Sequence, residues 1–405
     1  MLLYSDITYD NRVLREARTL ADAGFDVTIV CPSAPRRPLA EVDASLRVVV
    51  RAPTETAALP GGAKPRAGGA RASVGWAIDY GRGLRRWGAA ARREFGATTD
   101  IWHVHDLTGL VALAAGGGRP PPRVIYDSHE LYLESGAMRS LPWPVSRALR
   151  AYEGRLARRA AAVITVNDGV ARELEQRYGV APAVVMNCPP RPDEAAVAGS
   201  AARSDVPGVP GVLRRHFGLG ERPVALYHGA LSPQRGIDAF LGAMDLLPRD
   251  LAMVVIGEGM LADHVRERAA EPALRDRFYW HPMIVPSELR SWLTDADIGL
   301  VLLEPDRLNH FLATPNRLFE AINAGLPILA SDLPELRRIV DLTGAGTVCD
   351  PMSPGSIAAG VARLLDPATA REMRARGLAA ASGAFNWETQ SQALLGVYHD
   401  VSALP

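Results

Sequence analysis

Glu320, Arg235 and His129 are the side chains whose positions in this sequence could do chemistry. Glu320 lies in TPNRLFEAINAGLPILASD, Thr314 to Asp332. Thr314 is a good N-cap, Pro315 suits the first helical position, and Gly325 falls where a left-handed cap closes a helix. Such a helix points free N–H groups at whatever precedes Thr314, and that end attracts phosphate. Glu320 shares a face with Asn316 and Asn323, away from Leu318, Phe319 and Ile322. A carboxylate there can accept two hydrogen bonds from vicinal hydroxyls, such as those of a ribose. The pattern fits a nucleotide-sugar site, and it also fits an ordinary helix–strand unit with a solvated glutamate.

Arg235 follows the strand end His228-Gly229, within SPQRGIDAFLGAM. A guanidinium at that helix start would bind a diphosphate; the plainer reading is a loop-capping arginine. His129, in IYDSHE, ends a strand, and doubly wound folds bind ligands at those ends. A lone histidine also fits a structural role. IWHVHD adds His103 and His105 on one side of a strand, with His105 and Asp106 reaching the same cleft in a supporting part.

The elements that must hold these residues alternate. Val27–Cys31, Ile101–His105, Val124–Asp127, Ala162–Val166 and Val184–Asn187 are short apolar runs with helical segments between most of them. A helix carrying Val13, Leu14, Ala17 and Leu20 precedes the first, and Met1 to Tyr4 reads as a strand. A second series runs through Val224–His228, Leu251–Gly257, Phe278–His281, Ile298–Leu303, Ile328–Ser331 and Gly346–Cys349. Repeated strand–helix alternation implies parallel sheets covered on both faces, and two series imply two doubly wound domains. Between them, residues 191–213 are rich in Pro, Gly, Ala and Ser and read as linker. Residues 59–73 read as a mobile loop.

Composition narrows the partners. The chain has 405 residues, 48% of them hydrophobic, enough for full cores. Its formal net charge is zero, which argues against nucleic acid. Cys31, Cys188 and Cys349 are too far apart for a disulfide framework or a metal set, and they point to a reducing compartment. No targeting segment or membrane-spanning run stands out, so a cytoplasmic protein is expected. No His, Cys, Asp or Glu spacing identifies a metal site. One stretch, Gly81 to Phe95, sets Arg82, Arg85, Arg86, Arg92 and Arg93 among Leu84, Trp87 and Phe95. It reads as a solvated helix face or as peripheral contact with an anionic membrane.

PNRLFEAINAGLPILAS resembles the donor motif of the retaining GT-B glycosyltransferases of family 4, written PxKLFEYxAxGxPVIAS. YDSHE, DNRVLREA and the loop before Arg235 resemble further motifs of that family, and the likeness covers nearly the whole chain. The resemblance implies a GT-B fold, an α/β architecture of two Rossmann-like domains facing each other across a cleft. It implies residues 1–190 as the acceptor-side domain, 191–213 as linker, 214–385 as the nucleotide-sugar domain and 386–405 as a helix returning to the first domain.

The resemblance also implies the activity: metal-independent transfer of a sugar from a UDP- or GDP-sugar to an acceptor hydroxyl, with retention of configuration and no cofactor. His129 would orient a donor-sugar hydroxyl, Arg235 would stabilise the leaving diphosphate and Glu320 would hold the ribose. Gly229, Gly257 and Glu258 would face the nucleotide, and the backbone of Met283 and Ile284 would meet the base. Leu312, Ala313, Thr314 and Asn316 complete the donor side; Asp10, Asn11, Arg12, His105 and Asp106 line the acceptor side. Two positions depart from the family. Ala230 stands where a second phosphate-binding cation is usual, and Leu312 replaces the first of two glutamates, leaving nearby N–H groups around Leu312 to Thr314 to hold the sugar. Those departures keep open a degenerate partner subunit that only binds sugar nucleotide. A nucleotide-sugar 2-epimerase fits the motifs poorly. A glycan phosphorylase needs a lysine for pyridoxal phosphate, and the only lysine is Lys64 in a Gly/Ala-rich loop.

Overall fold

A computed structural model describes residues 1–33, 45–51, 70–117, 121, 123–192 and 211–404. Lys64, residues 59–69 of the expected loop and residues 193–210 of the expected linker lie outside the described residues. Residues 70–73, expected as loop, instead open the helix Ala70–Phe95. That helix sets Leu84, Trp87 and Ala91 on one buried face, a spacing of three and four residues that fits the helical period. The chain divides into two compact units, Met1–Asn187 with Gln390–Pro405, and Cys188–Thr389.

The first unit holds β1 (Thr28–Cys31), β2 (Arg47–Val50), β3 (Trp102–His105), β4 (Val124–Ser128), β5 (Ala162–Thr165) and β6 (Ala183–Val184). The order is β1-β2 and β3-β4-β5-β6, all parallel. Leu2 joins the two sets by pairing with Val30 on one side and Val104 on the other. The amino-terminal segment thus lies between β1 and β3 through isolated bridges, and the order reverses there. β2 has no counterpart among the expected strands, because RVVV is short and its flanks carry no helical or turn signal. β6 lies earlier than the expected run from Val184 to Asn187; beyond it, backbone pairing continues only as Val185 N–H to Thr165 O. The helix Trp387–Ser402 enters this unit from Gln390 on, and its Tyr398 hydroxyl meets His103 Nδ1 at 2.9 Å.

The second unit is a single parallel sheet: β7 (Val224–His228), β8 (Ala252–Ile256), β9 (Phe278–His281), β10 (Ile298–Val301), β11 (Ile328–Ser331) and β12 (Gly346–Cys349). Its order is β12-β11-β10-β7-β8-β9. β7, β8, β10 and β11 are buried along their whole length, as strands covered by helices on both faces must be. The chain winds one way from β7 to β9 and the other from β10 to β12. The loops leaving β7 and β10 therefore part company at the carboxyl edge, which opens a crevice there.

The loops leaving β7 and β8, in contrast, are pressed together. Gly229 N–H bonds Ile256 O at 2.9 Å and Leu231 N–H bonds Glu258 O at 2.8 Å. A Cβ on Gly257 would lie 2.0 Å from Gly229 O, so only glycine fits between them. Gly257→Ala should destabilise this unit by about 1–3 kcal/mol, the range for overpacking. Urea unfolding of the two proteins measures it; an unchanged midpoint would mean that the β7 and β8 loops separate freely.

Candidate functional site

Each unit gathers polar side chains at the carboxyl edge of its sheet. In the second, the loop after β7 carries Gly229, Ala230 and Arg235. Gln234 and Gly236 both adopt positive φ, +58° and +79°. Glu304 N–H bonds Gln234 O at 3.0 Å and holds that strained turn, which presents Arg235 with Nε donating to Ser232 Oγ at 3.2 Å.

Opposite it, the donor-motif helix runs Asn316–Asn323 with Pro315 at the cap position. The expected Thr314 cap is displaced by one residue. Pro315 keeps its preset φ of −66° but has an extended ψ of 150°, so it precedes the helix instead of opening it. Leu318 N–H closes the turn onto Pro315 O at 2.9 Å. At the far end Gly325 has φ +66°, the left-handed closure expected of it. Leu312 and Ala313 N–H groups bond Leu308 O and His310 O at 3.1 and 3.3 Å. They close the short helix Leu308–Phe311 and are not open to a sugar, contrary to expectation. Thr314 is half-buried and Asn316 exposed.

Glu320 sits one turn into this helix, half-buried, with Oε2 2.9 Å from His228 Nε2 at the end of β7. Asn323, expected on the same open face, is buried. Its amide donates to Pro190 O at 2.7 Å and accepts from Arg290 Nη1 at 2.7 Å. Arg317 lies in the first turn, with Nη1 donating to Tyr227 Oη at 3.1 Å and Nη2 to Leu302 O at 3.1 Å. On the next strands, Gly257 O accepts Trp280 Nε1–H at 3.1 Å, Glu258 is exposed, and Met283 and Ile284 are half-buried in the irregular segment after β9.

In the first unit, His129 follows β4 and stands between two carboxylates. Its Nε2 is 3.2 Å from Asp127 Oδ2, its Nδ1 is 3.6 Å from Asp106 Oδ2, and its backbone N–H donates to Asp106 Oδ1 at 3.0 Å. Asp106 has φ +56°, a left-handed turn that brings its carboxylate under His129. Burial opposes the charged imidazole, but Asp106 and Asp127 outweigh it and push His129 up to about 10. Burial raises Asp106 to about 6. At neutral pH His129 is an imidazolium, a donor and not a base. Its Nδ1 is beyond hydrogen-bond distance from Asp106, so this N–H can serve a ligand oxygen.

Beneath His129 lies an ionic network. Arg12 forks Asp127, Nε to Oδ2 at 2.8 Å and Nη2 to Oδ1 at 2.9 Å, donates to Val185 O at 2.6 Å and lies 3.0 Å from Glu16. Arg12 is therefore a buried structural cation, not an acceptor-side contact. Asp10 caps the helix Asn11–Asp22 by accepting Val13 N–H at 3.1 Å, and Asn11 is its first residue. His105 is fully buried and does not reach a cleft; its ring stacks on His103 with centroids 4.4 Å apart, and its Nδ1 meets His129 Nε2 at 3.1 Å. Glu16, His103, His105 and Asp127 have the donor types of a metal set, with candidate atoms within 4.8 Å of one another. The Arg12 guanidinium already holds both carboxylates, so the charge a metal would supply is present. The sequence reading passes over Asp127, Glu16, His228 and Arg317. Two-residue spacing from His129 marks Asp127 in hindsight, but the partner of Glu320 is 92 residues away and leaves no local sign.

Two family profiles divide the chain: "Glycosyltransferase Family 4" matches residues 10–189 and "Glycosyl transferases group 1" matches residues 222–367. The chain belongs to glycosyltransferase family 4. This family 4 chain is 26% identical over 332 residues to the D-inositol 3-phosphate glycosyltransferase of Acidothermus cellulolyticus, covering 78% of the chain and 70% of that protein. It is 25% identical over 198 residues to the alpha-D-kanosaminyltransferase of Streptomyces kanamyceticus, covering 47% of the chain. It spans about half the length of that relative, 48%. Among solved structures, Anabaena HepE in complex with UDP-glucose aligns with a TM-score of 0.70 at 14% identity, covering 100% of this chain and 98% of that one. Sucrose-phosphate synthase from Thermosynechococcus elongatus aligns with a TM-score of 0.70 at 18% identity, covering 99% and 98%. These likenesses give the family 4 chain the GT-B fold.

The charge on His129 makes a stability prediction. Its folded pKa is raised, so its contribution is complete below about 6.5 and is lost as pH rises through about 10. In that window the unfolding free energy of the wild type should fall faster than that of His129→Gln, by up to ~1.4 kcal/mol per pH unit. Denaturant unfolding of both proteins at several pH values tests this. Parallel pH curves would mean that His129 is neutral in the folded protein.

Proposed function

We propose that this family 4 protein is a retaining glycosyltransferase that moves a sugar from a nucleotide-sugar donor to an acceptor hydroxyl. The observation that carries the reading is the crevice of the second unit. There the helix Asn316–Asn323 begins outside the carboxyl ends of β7 and β10, Arg235 stands on the facing loop and Glu320 lies one turn in. A diphosphate suits the cationic end, and a ribose diol suits the carboxylate. Anabaena HepE, of the same fold, is described in complex with UDP-glucose, and a 26% identical mycobacterial relative is a GDP-mannose-dependent mannosyltransferase. Both support a UDP- or GDP-sugar as donor.

The chemistry is electrostatic. As the glycosidic bond to the diphosphate breaks, negative charge gathers on the leaving oxygens. Arg235 and the helix start stabilise it without reorganising, and this is where such sites gain most of their rate. His129, held as an imidazolium, donates Nδ1–H to a hydroxyl of the sugar. No helix among the described residues is long and apolar enough to cross a membrane. A cytoplasmic enzyme is our reading, with peripheral attraction to anionic lipid through the exposed Arg82, Arg85, Arg86 and Arg93. Leu84 and Trp87 are buried in their own unit, so that attraction is electrostatic and involves no insertion.

A thermal-shift panel of UDP- and GDP-sugars should reveal one donor that raises the melting temperature by mass action. With that donor, Glu320→Ala should weaken binding by about 1.5–3 kcal/mol, the range for hydrogen bonds to a charged group. Arg235→Ala should lower kcat ~100-fold or more, as for loss of one preorganised donor to a developing anion, and Arg235→Lys should recover much of it. Wild-type turnover in both arginine variants would place the diphosphate elsewhere. Nucleotide binding by the wild type without transfer or hydrolysis would make the protein a sugar-nucleotide-binding subunit.

A further inference from the structure

Three arginines are buried among the described residues, Arg12, Arg214 and Arg317. Two are neutralised. Arg12 forks Asp127 beside Glu16, and Arg214 pairs with Asp297 at 2.7 Å and Asp295 at 3.4 Å. Arg317 is 5% exposed, yet among the described residues no carboxylate lies within ion-pair distance of it. Its contacts are all neutral: Tyr227 Oη, Leu302 O and the face of the Tyr227 ring, 4.6 Å from its Cζ. Its Nε has no hydrogen-bond partner. A buried ion without a counter-ion is costly.

The place of this charge is informative. Leu302 directly follows β10 and Tyr227 is in β7, the two neighbours between which the strand order reverses. Arg317 thus sits at the switch point, in the first turn of the helix whose dipole is positive there. Tyr227 Oη, which accepts from Arg317, donates to Ala230 O at 2.7 Å. Arg317 therefore underlies the loop at the residue where the family's second cation is absent. Arg235 is near enough for its charge to oppose that of Arg317, and among the described residues it too has no carboxylate within ion-pair distance. Two like charges and a helix start converge there, and the opposing charge that acts on Arg317 comes from Glu320, whose carboxylate is bonded to His228.

We infer that Arg317 is the second cation of the diphosphate site, drawing the leaving group's charge from beneath the loop in place of a side chain at Ala230. The inference rests on the nucleotide-sugar reading above. Through Tyr227 it also fixes the loop carbonyl at Ala230, so one guanidinium serves the charge and the loop's position.

Calorimetry with the full chain tests it, using UDP, UMP and uridine, and GDP, GMP and guanosine. In Arg317→Gln, affinity for the preferred diphosphate should fall roughly 10- to 100-fold, the range for a lost contact to a charged group, with the nucleoside unchanged. A merely structural arginine would weaken all three ligands together, and that result, or an unchanged diphosphate-to-nucleoside ratio, overturns the proposal. If the wild type binds neither nucleoside diphosphate, it is the nucleotide-sugar reading that fails. Should Arg317→Gln not fold, Ala230→Arg decides. If Arg317 already supplies the second charge, adding one on the loop should raise diphosphate affinity less than about 3-fold. A gain of about 10-fold or more would show that the second cation was missing.

Discussion

Parallel pairing with a reversal of strand order is the constraint from which the rest of each unit follows. A strand leaving β7 or β10 cannot return by a tight hairpin. It must cross through a helix, and the crossing helices lie on opposite faces from the reversal outward. At the reversal itself no helix spans the carboxyl ends, so backbone N–H groups, loop side chains and a helix start are exposed together. His228, Tyr227 and Leu302 reach that edge because their strands end there. Helix 316–323 begins there because the chain from β10 must re-enter the layer on the way to β11. The first unit repeats the device with the amino-terminal segment at its centre. Leu2 pairs to Val30 and Val104, and Asp106 and His129 stand at the ends of the adjacent β3 and β4.

The two units treat charge at that edge in opposite ways. The first is internally balanced. Arg12 answers Asp127 and Glu16, Asp127 and Asp106 answer His129, and burial raises Glu16 well above the usual carboxylate range. Such a network fixes geometry: the imidazolium is held by the carboxylate below it, and that carboxylate by a fork of two hydrogen bonds. The second unit is unbalanced. Among the described residues no carboxylate lies within ion-pair distance of Arg235 or Arg317; Glu320 acts on Arg317 by charge from its bond to His228, leaving two cations to one anion. A site whose charges are paired internally positions a ligand by hydrogen bonds, whereas a cationic one binds an anion by charge. A hydroxyl-rich sugar suits the first kind of site and a diphosphate suits the second.

Much of this was legible in the sequence, and what was not has physical reasons. β7, β9, β11 and β12 coincide with their apolar runs because β-branched and apolar residues bounded by Gly, Pro or charge leave little choice of ends. Gly325 was readable because a helix closing in the left-handed region nearly requires glycine. The cap at Pro315, one residue past Thr314, turns on a ψ angle that composition does not set. Arg12, His105 and Asn323 read as surface or cleft residues because polar side chains usually are, and only a distant partner makes burial tolerable. Those partners, Asp127, His129 and Pro190, are 115, 24 and 133 residues away, beyond any helical or strand period.

A cation in a helix's first turn differs in kind from one on a loop. A loop arginine must be ordered each time it meets the phosphate, and its charge is partly screened by water before then. Arg317 is already ordered by Tyr227 and Leu302 and already desolvated. Its cost is carried by the folded state before any ligand arrives, so its attraction is available undiminished when charge develops on the leaving oxygens. The loop then has no need of its own cation at Ala230, and Gly229 can remain the glycine whose carbonyl packs against Gly257. On this argument, moving the charge from the loop into the helix leaves the β7 loop free of a bulky side chain and keeps the crevice open.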